Sequence, residues 1–398
     1  MLKSLIPLVS LGLMAACSPR PAPEADLSSW QDILAQRGLA AAEAHLVEQP
    51  VTPETAFLAG GLQFLRANEA IMQVRYRNSA GSIAILPGMR NELPANPDGK
   101  FDPAFLEISL NAALIQLAKA ETSLASATGK EFAVDFPLTA VWFDINANGQ
   151  REDWESGLDI MAALNAEADA EFDGMIRFDS ADAHWLKAYV HVMSGMAELA
   201  LATDPTPAIR TVYEGRQALE ELGATQVLFL GNDELDLLAA TLLTLRGVPD
   251  QARTRAAHKH FKAMIAENRA FWRAVAEETD NDREWLPNTE QTSVFGVEVT
   301  QEMADGWRDV LVDIEDILEG RTLVPHWRAG PSFGETTGLG INVAKFLQEP
   351  GDMDLILWIH GAAAAPYLEH GRLAEMAAWN RFETMTRGDS LLFAMWFN

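Results

Sequence analysis

Oxygen-bearing residues alternate along the segment Asp144-Ile145-Asn146-Ala147-Asn148-Gly149-Gln150-Arg151-Glu152-Asp153-Trp154-Glu155. Asp144, Asn146, Asn148, Gln150, Glu152 and Glu155 fall at positions 1, 3, 5, 7, 9 and 12 of a twelve-residue run, with Gly149 at position 6. Hard oxygen donors in this order wrap a Ca²⁺ ion. Side chains serve at positions 1, 3, 5 and 9, a backbone carbonyl at 7 and a bidentate carboxylate at 12, while the glycine lets the chain turn sharply. We read these six residues as metal ligands and Ca²⁺ as the cofactor. Asx-rich strings also form ordinary turns; what separates this one is Glu155 at the closing position together with Glu152 at the ninth.

With Asn at two ligand positions, the charged ligands are Asp144, Glu152 and Glu155. Few charges mean weak binding, on the order of 10⁻⁴ to 10⁻³ M as in extracellular modules, and an ion that clips structure rather than senses signals. The string resembles an EF-hand loop, but the segment before it, residues 132–143, reads as extended with Pro137 opposing a helix, whereas 154–166 reads as a helix. The motif is therefore EF-hand-like rather than a full helix–loop–helix. Arg151 replaces the aliphatic residue through which such loops pair, so this one is expected to act alone. Trp142 and Trp154 flank it and should report binding.

Other constellations are weaker. His184, His191 and Glu198 recur every seven residues along one helical stripe. Successive members stand two turns, roughly 10 Å, apart, too far to share one transition metal. Buried, hydrogen-bonded histidines are the reading we adopt, and His258 and His260 point to different sides of their helix. Asp280, Asp282 and Glu284 alternate but lack a turn glycine and a closing carboxylate, and read as a solvated loop. The chain has no zincin H-E-x-x-H and no phosphate loop. No catalytic residue is assigned.

At the N-terminus Lys3 precedes an apolar run over residues 5–14, then Ala15-Ala16 and Cys17. A basic start, a short hydrophobic stretch and small residues form a secretory signal. With its cysteine it resembles a bacterial lipoprotein signal peptide, which implies removal of residues 1–16 and lipidation of Cys17. Ser18 rather than Asp after the cysteine implies the outer membrane, facing the periplasm. Residues 17–27 are Pro-rich and read as a tether. Cys17 is the single cysteine, so no internal disulfide forms. No later run approaches the ~18 apolar residues needed to span a bilayer.

The 57 acidic and 30 basic residues give a net charge of −27, which argues against nucleic acid and against a polybasic membrane patch. Residues 28–398 read as a mainly α, multi-helix body with the single loop at 144–155 and minor extended segments; a second lobe would begin near residue 205. Helical periodicity covers 30–46, 53–77, the stripe through Leu106 and Leu124, 180–203, 207–222, 234–246, 250–278 and 300–319. Gly60-Gly61 within the second of these either weakens the helix or marks a close helix contact.

The chain resembles uncharacterised bacterial envelope proteins that join such a loop to a downstream F-D-x-x-D-x-x-W-L string, here Phe178, Asp179, Asp182, Trp185 and Leu186. That group implies organisation and no activity. Two functions follow as expectations. One is a calcium-binding lipoprotein acting as a helical scaffold or binding module, with the membrane and an envelope protein or peptidoglycan as partners. The other is a cell-wall glycan-active enzyme. Membrane-bound lytic transglycosylases carry a catalytic Glu followed by Ser, and Glu155-Ser156 is similar, but a carboxylate on Ca²⁺ stays ionised and is a poor general acid. The scaffold is preferred.

Overall fold

The computed structural model describes residues 29–81, 87–90, 92–157, 172–224, 232–296, 298–328, 336–375 and 377–386. The signal segment, Cys17, the tether and most of the helix expected after the loop lie outside the described residues. The architecture is mainly α with two small sheets.

Two antiparallel helices open the chain. Helix α1 (Trp30–Val47) buries Trp30, Leu34, Leu39, Ala42 and Leu46, and is broken at Gly38, whose φ of 78° removes it from helical geometry. A side chain there would meet the Trp142 ring at 3.0 Å, so the break makes room for that indole. Helix α2 (Pro53–Arg77) starts where Thr52 and Pro53 predict. The Thr52 hydroxyl accepts from the Thr55 N–H at 3.3 Å and the Thr55 hydroxyl from the Thr52 N–H at 2.9 Å. After a single turn, α3 (Pro87–Arg90), comes α4 (Phe105–Leu124), which lies along α2. The contact is close because a β-carbon on Gly60 would stand 2.6 Å from Leu124.

Strand β1 (Ala133–Pro137) pairs antiparallel with β2 (Met175–Asp179), and the loop lies between them in sequence. Helix α5 (Ser180–Ala202) follows β2 directly and makes its main contact with α8 (Gln251–Val275) and a second with α4. These contacts tie the halves of the chain on either side of residue 205 to each other. Between them α6 (Thr206–Glu221) and α7 (Asn232–Thr244) pack on one another, and α9 (Gln301–Leu318) lies on α8. Helix α9 is amphipathic: Trp307, Val310, Leu311 and Leu318 are buried while Asp305 and Asp309 are exposed.

A second sheet lies in the C-terminal part of the described residues. Strands β3 (Val324–Pro325), β4 (Thr337–Ile341) and β5 (Leu368–Arg372) form an antiparallel sheet in that order. Helices α10 (Val343–Gln348), α11 (Leu355–His360) and α12 (Ala377–Met385) accompany it. With two glycines among its five residues, β4 shows no alternation that periodicity could detect. No helix among the described residues is long and apolar enough to cross a membrane.

Gly60 and Gly61 should respond in opposite directions to alanine. Gly60→Ala crowds Leu124 and should cost about 1–3 kcal/mol. At Gly61 the nearest atom is 3.8 Å away, in ordinary contact, so Gly61→Ala should gain roughly 0.5–1 kcal/mol of helix propensity. Urea denaturation measures both, and equal effects would contradict the close contact.

Candidate functional site

The loop is clamped at its base and braced from one side. Trp142 and Ser156 form an antiparallel bridge, with the Phe143 N–H donating to Glu155 O and the Gly157 N–H to Val141 O, both at 2.9 Å. Trp142 is fully buried and donates its indole N–H to Leu34 O at 3.0 Å. Helix α2 supplies the brace through residues four and then three apart, which share one helix face. Glu69 accepts the Asp144 N–H at 3.0 Å, the Gln73 amide donates to Asp144 O at 2.8 Å, and Tyr76 stacks on Trp154 with centroids 5.8 Å apart.

Inside the loop, side chains turn back onto the backbone. Gly149, at φ 73°, donates its N–H to Asp144 Oδ2 at 3.0 Å. Asn146 Oδ1 accepts from the Asn148 N–H at 3.0 Å, and Asn148 Oδ1 from the Gln150 N–H at 2.7 Å. Glu152 accepts both Asn146 and Asn148 side-chain amides, at 2.6 and 2.8 Å. Glu155 is wholly buried and accepts the N–H groups of Ile145, Asn146 and Glu152. Gln150 is exposed. Asp144 Oδ1 is buried and has no hydrogen-bond partner.

The five side-chain candidates thus point into one small loop. The three carboxylates do not form a set within 4.8 Å of one another, because Glu155 is engaged by backbone amides. The donors are hard oxygens, the surroundings are acidic, and one buried carboxylate oxygen lacks a partner. That set fits a divalent hard cation, which Glu155 can ligate on exchanging its N–H partners. Burial pushes the Glu155 carboxyl above its ordinary range, against the pull of the Glu152, Ile145 and Asn146 amides. Burial also lifts Glu69 to about 7, against the pull of the Asp144 N–H and Arg66, with the Asp144 and Glu155 charges adding repulsion. Glu69 was not foreseen from the sequence. Its signal was a charged residue on a helix face shared with buried Leu62 and Met72.

A second acidic group forms where α5 begins. Asp179 caps α5, its Oδ1 accepting the Ala181 N–H at 2.8 Å, while Asp182 Oδ2 accepts the Asp179 N–H at 2.9 Å. Beyond the end of α8, Glu278 hydrogen-bonds to Asp179 and accepts from the Gln291 amide at 3.2 Å. Glu284 accepts the Asp282 N–H at 3.0 Å. Asp280 and Asp282 are exposed as expected of a solvated loop, but Glu284 is buried, a correction that follows from its bridge to Ser293 and the bond of the Arg177 N–H to Arg283 O next to it. Burial first, and mutual repulsion next, raise Glu278 to about 8 and Glu284 to about 7, with Asp182 well above its usual range.

The heptad stripe on α5 meets a matching stripe on α8. His184 Nδ1 contacts Glu267 at 2.7 Å, His191 Nδ1 contacts His260 Nδ1 at 3.0 Å, and Glu198 pairs with Arg253 at 2.8 Å. Numbers rise by seven on α5 and fall by seven on α8, as antiparallel register requires. Lys187 also holds Glu267, and with His184 it outweighs burial and draws that carboxyl down to about 2. His191 is buried and bonded, and the stripe of one helix does not gather on a single ion. His260, given no weight in the sequence, is its partner. Comparison with protein-family models, curated proteins and solved structures gives no match for this chain.

The raised carboxyls set a pH dependence. Each binds its proton more tightly folded than unfolded, so its stabilisation is complete below the ordinary value of 4.5 and is lost as pH rises through about 7 to 8. Above about pH 6.5 the histidines, which burial holds neutral, no longer oppose this. The melting temperature should therefore fall between about pH 6.5 and 8.5, with a smaller fall in Glu278→Gln. An unchanged slope in that variant would contradict a raised Glu278 carboxyl.

Proposed function

We propose that the protein is a calcium-stabilised helical scaffold or binding module of the bacterial cell envelope. In this reading it is lipid-anchored through Cys17 at the outer membrane and faces the periplasm. Asp144, Asn146, Asn148, Gln150, Glu152 and Glu155 would hold the ion. The observation that carries the reading is the inward wiring of the loop around Asp144, whose Oδ1 is buried without a donor. A buried carboxylate oxygen without a partner costs several kcal/mol unless a cation or proton meets it. The ion would tie together α2, Trp142 and the bridge at Ser156, and so stiffen the α1–α2 hairpin.

The surface supports a binding role. Leu219 and Leu222 at the end of α6, with Leu237, Leu238 and Leu242 on α7, are exposed. Apolar surface left open on a hairpin is a feature of protein interaction sites. The partner would be an envelope protein or peptidoglycan.

Titrating Ca²⁺ into the chain lacking residues 1–17 should change Trp fluorescence and raise the melting temperature, with a midpoint on the order of 10⁻⁴ to 10⁻³ M. At a hundredfold excess over Kd the gain is about 2.7 kcal/mol. Glu155→Gln should abolish both responses. A wild type indifferent to Ca²⁺, or a variant that responds equally, would remove the calcium role.

One observation favours a second reading, a glycan-cleaving enzyme. Glu278, held protonated near neutral pH beside Asp179, has the proton affinity of a general acid. The scaffold remains preferred because Asp179 and Asp182 are engaged in capping α5. Incubation with purified peptidoglycan decides between them: the scaffold releases no soluble fragments, whereas an enzyme does so and loses the activity in Glu278→Gln.

A further inference from the structure

We propose that Glu121, His191 and His260 form a separate binding site for a nitrogen-preferring divalent metal of the Zn²⁺ class, where α4, α5 and α8 meet. One ligand atom from each of the three lies within 4.8 Å of the other two. The residues come from three helices and are far apart in sequence, so local chain geometry does not bring them together. Packing of rigid elements does, which is how bundle proteins build metal centres from inward-facing side chains.

The neighbouring levels of the α5–α8 seam show what is unusual here. Above, the Glu267 acid meets His184 and Lys187; below, the Glu198 acid meets the Arg253 base. Each pairs opposite charges. At the middle level two imidazoles meet instead, Nδ1 to Nδ1 at 3.0 Å, with ring centroids 5.3 Å apart. A direct contact of this kind satisfies one lone pair with one N–H and leaves the Glu121 carboxylate beside them. A metal accepts both lone pairs and the carboxylate together.

The dimensions suit such an ion. Two nitrogens at about 2.0–2.1 Å from tetrahedral Zn²⁺ stand roughly 3.4 Å apart, a few tenths of an ångström beyond the present contact. His191 is 4% exposed, so one ligand is fixed in the interior, while Glu121 and His260 are half-buried and leave a route for an ion. Gly195, one turn along α5 from His191, lets the helices approach: a β-carbon there would stand 2.7 Å from the Phe261 ring, next to His260. Imidazole donors select Zn²⁺, Co²⁺, Ni²⁺ or Cu²⁺ and not Ca²⁺, so this site differs in chemistry from the loop. Three protein ligands leave the fourth tetrahedral position to water or to an atom of a bound molecule.

The test uses the full chain, stripped with chelator and held in excess Ca²⁺ so that the loop does not compete. We expect one equivalent of Zn²⁺ per chain by elemental analysis after gel filtration, a raised melting temperature, and visible absorption on loading with Co²⁺. His260→Gln and Glu121→Gln should weaken Zn²⁺ binding more than tenfold, beyond the lower end of what loss of an outer-shell partner causes. His184→Gln, on the same stripe but outside the site, should bind as wild type does. Circular dichroism confirms that each variant is folded. Absence of Zn²⁺ binding by the wild type, or undiminished binding by folded His260→Gln, would overturn the site whatever the outcome with Ca²⁺.

Discussion

Carboxylates withdrawn from water must each be met by a donor, a proton or a cation, and this chain has 57 acidic groups against 30 basic ones. Leaving one unmet costs more than most single contacts contribute. The fold meets the demand in three ways. Backbone amides serve Glu155 and Asp179. A proton serves Glu278, whose carboxyl is lifted to about 8 by burial. Cations serve Glu267 through Lys187 and Glu198 through Arg253. Among the described residues, Asp144 Oδ1 is the buried carboxylate oxygen that none of these reaches.

That shortage links the fold to the proposed function. The loop does not hang from the surface. Its base is bridged at Trp142 and Ser156, its first residue is held by Glu69 and Gln73, and Trp154 rests on Tyr76. Trp142 in turn reaches α1 through Leu34 and the break at Gly38. An ion bound at Asp144 would therefore act on the helical core and not only on twelve residues. A device of that kind suits a scaffold whose stability depends on divalent cations in its surroundings.

Much of this was legible locally. Thr52 and Pro53 placed the start of α2, Gly60-Gly61 left open a close contact that proves to be with Leu124, and the helical periodicity of α9 was plain. What escaped were pairings made across long distances in sequence. Nothing near Glu69 indicates that it will hold the Asp144 amide. The stripe of His184, His191 and Glu198 was visible on α5, but its complement of Glu267, His260 and Arg253 becomes meaningful only once α8 is known to run antiparallel. The burial of Glu284 escapes a local reading for the same reason, since it depends on the bridge to Ser293 and the bond from the Arg177 N–H to Arg283 O. The sheet of β3, β4 and β5 was hidden by short strands and glycines.

A high-resolution crystal structure grown in saturating Ca²⁺ examines the loop itself. If an ion completes the electrostatics around Asp144, both Glu155 oxygens will have left the Ile145 and Glu152 amides, and Asp144 Oδ1 will lie about 2.3–2.6 Å from a calcium peak. Density showing Glu155 still on those amides, with no ion near Asp144, would contradict the account.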